Sequence, residues 1–221
     1  MLTVHHLNNS RSQRVLWLLE ELELPYEIVR YQRQPDMRAP AELRAIHPLG
    51  KSPVITDDGK TIAESGAITE YITEVYGDGH LIPPPRTPER LRYTYWLHYA
   101  EGSAMPPLLL KLLFTLMPKR APALLRPVVR KVANQALTAL VNPQLKQHMA
   151  LWESELGKSE WFAGNEFTAA DIQMSFPLEA AAARSPVFAQ LPKLKAFIDR
   201  IHQRPAYKRA VEKGGQYEIL K

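Results

Sequence analysis

The sequence predicts an α/β unit with a mixed sheet at the N-terminal end, followed by an all-helical remainder. Three observations carry that expectation. Before about residue 80, short alternating or β-branched runs are interleaved with helix patterns, whereas beyond it only helix patterns occur. An Asp-Gly turn signal, Asp58-Gly59, separates two apolar runs. Between the two textures, Gly77-Asp78-Gly79-His80 and Pro83-Pro84-Pro85 stop one helix and form a semi-rigid connector. The expected division is therefore an α/β unit over 1–80, a linker over 81–88 and an all-helical domain over 89–221.

Leu2 to Leu7 reads as the first strand. Ser12 to Leu22 carries Val15, Leu16, Leu18, Leu19 and Leu22 at helical spacing, and Tyr26 to Tyr31 reads as a second strand. Strand, helix and strand within about thirty residues form a βαβ unit, whose right-handed crossover makes the strands parallel. A short helix is expected at Ala41 to Ile46. Pro53 to Thr56 and Thr61 to Ala63 flank the Asp-Gly turn and so pair antiparallel. Ser65 to Tyr76 completes the order βαβαββα, with Ser65 as the expected N-cap. From Glu89 onward the helix patterns are punctuated by Pro118, Pro122, Pro127 and Pro143. Thr168-Ala169-Ala170-Asp171 has the spacing of a capping box, with Asp in place of the usual Glu or Gln, so Asp171 is assigned a folding role. The four Trp, at 17, 96, 152 and 161, read as packing residues.

Composition removes several classes of chemistry. The chain of 221 residues contains no Cys, which excludes thiolate zinc sites, disulfides and covalent cysteine catalysis; any thiol must come from outside. A chain of this length hides roughly 70% of its unfolded surface and needs no metal or disulfide staple. Its formal net charge of +5 is mildly basic without a clustered nucleic-acid motif, so no nucleic-acid partner is expected. The longest apolar stretch, Met105 to Met117, contains Lys111 and two prolines and is too short to span a bilayer. No integral membrane association is expected, and the expected location is cytoplasmic.

Three places suggest a ligand. The loop Asn8-Asn9-Ser10-Arg11-Ser12 feeds a helix N-terminus, where unpaired N–H groups and the helix dipole stabilise an anion or thiolate, although the same residues serve equally well as caps. Leu49-Gly50-Lys51-Ser52 is not a phosphate loop, because Ala45 stands where that motif needs glycine. It leads instead into Pro53-Val54 at a strand start, where backbone groups can pair with an extended peptide. Glu64-Ser65 at the start of the third helix matches the two ends of an amino-acid zwitterion: the carboxylate for the ammonium, the hydroxyl and helix N–H groups for the carboxylate. Together these features suit one elongated, peptide-like anionic ligand.

Four segments, SRSQRVLWLLEELELPYE, HPLGKSPVI, ESGAITEYI and GNEFTAADI, span nearly the whole chain. In combination they resemble the cytosolic glutathione transferases, of a bacterial, serine-type kind with neither Cys nor Tyr at the active site. The resemblance implies a thioredoxin-like N-terminal domain and a helical domain that contributes the second-substrate pocket. It implies that Glu64 and Ser65 hold the γ-glutamyl end of glutathione, that Pro53 in cis and the Val54 backbone hold its cysteinyl part, and that Lys51 faces its glycine carboxylate. His47 departs from the family pattern, which has Asn there. By the same alignment Ser10 falls on the position of the thiol-activating residue, with Asn9 and Ser12 as alternatives and Arg11 facing the same pocket.

The energy required is modest. A thiol of pKa about 8.5 is only ~3% ionised at neutral pH, and lowering the pKa by roughly two units takes about 2.7 kcal/mol. One hydrogen bond to the charged sulfur supplies about 1.5–3 kcal/mol and a helix N-terminus about 0.3–1, so no metal is needed.

Tyr95, Tyr99, Met105, Pro106 and Leu109 are the candidates for a second-substrate pocket between the domains. The implied activity is attack of glutathione thiolate on a small hydrophobic electrophile, or reduction of an organic hydroperoxide, in the service of detoxification. Glutathione is the co-substrate. The alternatives are glutathione-dependent disulfide reduction without a protein cysteine, and a non-catalytic protein-binding module of the same fold. A homodimer is expected, with Tyr71, Arg90, Arg92 and Tyr93 offering residue types enriched at interfaces.

Overall fold

The computed structural model describes residues 1–34, 36, 38–215 and 217. The N-terminal part runs β1 (Thr3–Leu7), α1 (Ser12–Glu21), β2 (Glu27–Tyr31), α2 (Ala41–Ile46), β3 (Val54–Asp57), β4 (Lys60–Ala63) and α3 (Ser65–Val75). The strands form one mixed sheet in the order β2-β1-β3-β4. β1 lies parallel to β2 and antiparallel to β3, and β3 pairs antiparallel with β4. This is the thioredoxin-like arrangement. Asp57 faces Lys60 across the hairpin, and both turn residues, Asp58 (φ 45°) and Gly59 (φ 78°), take the left-handed conformation that a two-residue hairpin turn demands.

The remainder is helical. α4 (Pro88–Tyr99) continues through a single π-helical turn, Ala100–Ala104, into α5 (Met105–Arg120). Pro106 and Pro107 explain the wide turn: neither can donate to the carbonyl four residues back, so the backbone opens there. The sequence placed the break at Pro118 instead, but Pro118 is accommodated inside α5, two residues from its end. α6 (Arg126–Ala136), a second π-helical turn at Leu137–Val141 and α7 (Asn142–Lys158) follow. Then come α8 (Ala169–Arg184), a 3₁₀ segment (Pro186–Gln190), α9 (Pro192–Gln203) and α10 (Pro205–Gly214).

Two anchors join the parts. One continuous apolar core runs from Val4 and Ile55 in the sheet through Leu16, Trp17 and Leu19 of α1 to Trp96, Trp152 and Phe197 of the helices. All four Trp are buried, as their packing role requires. On its charged edge α1 binds α10: Glu20 accepts from Arg209 at 2.8 Å and Lys213 at 2.5 Å. Glu21 accepts two bonds from Arg204, at 2.5 and 2.8 Å. α8 starts at the capping box. Asp171, fully buried, accepts from the Thr168 backbone N–H at 2.9 Å, from the Thr168 hydroxyl at 3.0 Å and from the Phe162 N–H at 2.8 Å.

One expectation, the N-cap of α3, needs correction. The residue flanking α3 as its N-cap is Glu64, and Ser65 is already helical. Most of the proposed dimer-contact residues are committed within the protomer. Tyr93 is buried, Arg92 binds Glu155 at 2.8 Å and the Phe162 carbonyl at 2.9 Å, and Tyr71 donates to Asp57 at 2.9 Å. Among the described residues no helix is long and apolar enough to cross a membrane.

Candidate functional site

A cleft of about 400 Å³ opens between the sheet unit and the π turn that joins α4 to α5. One wall consists of residues from the α/β unit: Arg11, His47, Leu49, Lys51, Ser52 and Pro53, with Ala63, Glu64 and Ser65 at the end of β4 and the start of α3. The opposite wall is Glu101, Met105, Pro106 and Leu109. Arg11, Lys51, Pro53, Glu64, Ser65, Met105, Pro106 and Leu109 were all identified from sequence.

Several candidates lie elsewhere. Tyr99 is buried and does not line the cleft; its hydroxyl is bonded to His148 and accepts from Trp152 Nε1 at 3.2 Å. Tyr95 stacks on it from the exposed side of α4. Val54 is fully buried and laddered to His5 and Ala63, while Pro53, after the cis Ser52-Pro53 bond, forms the adjacent cleft wall.

Glu64 holds φ 71° and ψ 123°, a conformation that costs a non-glycine residue on the order of 1–3 kcal/mol and persists only where the surroundings impose it. Here β4 and α3 impose it. The exposed Glu64 carboxylate belongs to the cleft wall, directly before the free N–H groups of α3.

Ser65 turns the other way. Its hydroxyl accepts from Arg14 at 3.1 Å and from Gln173 Nε2 at 2.9 Å, and donates to Glu101 at 3.4 Å. Arg14 is nearly inaccessible and also binds Glu101 at 2.5 Å and the Gln173 carbonyl at 2.6 Å. Arg11 reaches the same carboxylate at 3.2 Å, and both guanidiniums lie over the Phe176 ring. Burial alone would push the Glu101 carboxyl up. The two arginines override it and hold it below its ordinary value, so it is ionised at neutral pH. Sequence reasoning missed Arg14, Glu101 and Gln173; the one available signal was a cation, Arg14, inside the apolar run of α1.

At the other end of the cleft, hydroxyls are layered behind the wall. Ser52 lines it, with Ser10 Oγ 3.4 Å from Ser52 Oγ. Ser10 also accepts the Ser12 N–H at 3.2 Å and meets Ser12 Oγ at 2.7 Å. Ser12 is completely buried and bonded onward to His6 Nδ1 at 2.8 Å. Burial pulls His6 down to about 4, so the imidazole is neutral at physiological pH. Asn9, at φ 50°, forms the turn before Ser10. Of the two serine candidates, Ser10 is the hydroxyl that reaches a cleft-wall residue, and Ser12 is bonded onward to His6.

Chemically the cleft joins three properties. It has cations and hydroxyls on the wall from the α/β unit, one carboxylate at the start of α3 and a second on the π turn, and an apolar lip from α5. That combination suits an elongated zwitterion beside an apolar partner.

Known proteins share this sequence and fold. Residues 1–74 match the family model described as glutathione S-transferase, N-terminal domain, and residues 116–205 match that for the C-terminal domain. Glutathione S-transferase 3 of Schizosaccharomyces pombe is 37% identical over 96% of this chain and 88% of its own length. Glutathione S-transferase 1 of Saccharomyces cerevisiae is 33% identical over 96% of this chain and 95% of its own. Among solved structures, a glutathione S-transferase from Actinobacillus pleuropneumoniae superposes with a TM-score of 0.80 at 30% identity, covering 100% of this chain and 96% of that one. A sphingomonad glutathione S-transferase complexed with glutathione gives 0.74 at 25% identity, covering 96% and 98%. With both family models matched and near-complete coverage by these relatives, the chain belongs to the glutathione S-transferase family of enzymes.

Proposed function

We propose that the cleft binds glutathione as co-substrate and directs its thiolate onto a small hydrophobic electrophile or an organic hydroperoxide. The observation that carries this reading is the convergence of Glu64, the N-terminus of α3, Lys51 and the apolar trio Met105, Pro106 and Leu109 on a single cavity. Glu64 takes the ammonium of the γ-glutamyl group, the α3 N–H groups its carboxylate, and Lys51 the glycine carboxylate. The apolar lip receives the second substrate. Calorimetry tests the tripeptide site: Glu64→Ala should weaken glutathione binding by at least about tenfold. Unchanged affinity in a folded variant would remove Glu64 from the site.

Ser10 is proposed as the group that stabilises the thiolate, by rotating its hydroxyl from Ser12 toward the sulfur while the Ser12 N–H continues to hold its oxygen. Arg11 on the cleft wall adds positive charge nearby. Ser10→Ala should raise the thiol pKa of bound glutathione and lower turnover at neutral pH while changing affinity less. Following the thiolate absorbance of the complex against pH checks this, and an unaltered titration would pass the role to Asn9 or Ser12.

A homodimer is also proposed. Leu91 and Tyr95, exposed on α4, remain available for it after Tyr93 and Arg92 are used internally. Sedimentation at micromolar concentration should give twice 25.2 kDa; a monomer there would defeat the proposal.

A further inference from the structure

The hairpin made by α5, the turn at 121–125 and α6 carries an unusual charge record. Residues 102–152, which are this hairpin with its flanking π turns and the first part of α7, contain seven Lys or Arg and no Asp or Glu, where the average acid content of the chain would give about five. Six of those cations, Lys119, Arg120, Arg126, Arg130, Lys131 and Lys146, are exposed, and among the described residues none forms an ion pair. The same hairpin exposes large aliphatic side chains. Leu124, at the tip, is 90% accessible, and Leu125, Val128 and Val132 share one stripe of α6 at 53–64%. Met117 is exposed just before the turn. Exposed leucines grouped with uncompensated cations are not what a surface facing only water selects.

We infer that this tip docks reversibly on an anionic lipid surface, with Leu124 and Leu125 entering the interface and Lys119, Arg120 and Arg126 lying at headgroup level. Charge chooses this occupant over a second copy of the chain. A twofold contact through the tip would set one uncompensated cationic cluster against another, whereas anionic headgroups neutralise it. The apolar residues choose a lipid over a purely acidic polymer, since only the lipid also buries them. The tip follows the C-terminal end of α5, roughly 16–22 Å along the helix from Met105, Pro106 and Leu109, so docking there leaves the cleft lining uncovered. The docking does not depend on the transferase reading, because it is measured without glutathione.

The test is flotation of the full chain with phosphatidylcholine vesicles, with and without about one third phosphatidylserine. The expected result is binding at least about tenfold stronger to the anionic vesicles, weakened by high salt. Arg126→Glu with Arg130→Glu should remove at least about tenfold of that affinity, and so should Leu124→Ser with Leu125→Ser. Both double variants should keep the far-UV spectrum and the glutathione affinity of the parent chain. Equal binding to neutral and anionic vesicles would overturn the inference. So would undiminished vesicle binding by the leucine variant, which would mark the tip as a charge-only surface for acidic polymers. A fall in sedimenting mass in the leucine variant alone would identify a second copy as the occupant and overturn it equally.

Discussion

Arg14→Met is expected to lower the free energy of unfolding by about 3 kcal/mol, because it removes one partner of a largely buried charge cluster and leaves the others in place. Three groups lose their cation: the Glu101 carboxylate at 2.5 Å, the Gln173 carbonyl at 2.6 Å and the Ser65 hydroxyl at 3.1 Å. They belong to the π turn, α8 and α3, so the loss falls on the seam between the two halves of the molecule. Arg11 provides the comparison. It reaches the same carboxylate at 3.2 Å but keeps a third of its side chain in solvent, and Arg11→Met should cost under about 1 kcal/mol. Urea denaturation of both variants at neutral pH decides the matter. Equal costs would mean that the seam is held by its apolar core rather than by this cluster. Because the arginines hold Glu101 below its ordinary value, its contribution is present above the unfolded carboxylate pKa and is lost as pH falls through the folded one. The penalty for Arg14→Met should therefore shrink in acid.

Asp171→Ala is expected to cost about 2–4 kcal/mol, since it strands the Phe162 and Thr168 N–H groups in a region without solvent and removes the cap of α8. The pH dependence runs opposite to that of Glu101. Complete burial pushes the Asp171 carboxyl up to about 6, against the hydrogen bonds from Phe162, Thr168 and its own backbone that favour the ionised form. A folded pKa above the unfolded value means that ionisation costs the folded state. Relative to Asp171→Asn, which does not titrate, the parent chain should gain stability as pH falls from about 6 to about 4. Thermal denaturation across that range provides the measurement, and a loss in place of the gain would show that the N–H donors outweigh burial.

The two halves of this structure were not equally legible. Strands, the Asp-Gly hairpin and the α8 start depend on neighbours within a few residues, and β1, α2, the turn and the capping box appear where periodicity and turn chemistry put them. Bends and caps whose outcome depends on packing were misread. Pro118, near a helix end, costs one backbone hydrogen bond and is tolerated. The consecutive Pro106 and Pro107 cost two and open a π turn, which is what brings Glu101 and Met105 to the cleft. The helix stripe Tyr95, Tyr99, Met105, Pro106, Leu109 was treated as one surface. That bend divides it: the last three residues line the cleft and the first two do not.

By itself the sequence determined the element order, the absence of any protein thiol, and the residue types of the candidate site: hydroxyls around the start of α1, a lysine before β3, and Glu64-Ser65 at the start of α3. Each follows from composition or from bonding between near neighbours. Only the tertiary structure decided how those groups are spent. Ser65 is turned inward by an arginine 51 positions away and a glutamine 108 positions away, and Ser12 is sealed behind Ser10 by His6. Glu101 joins the cleft from the other half of the chain. The reason is physical. A buried charge or hydroxyl must find a partner somewhere, and periodicity shows that it is buried without showing which of several distant elements will be packed against it.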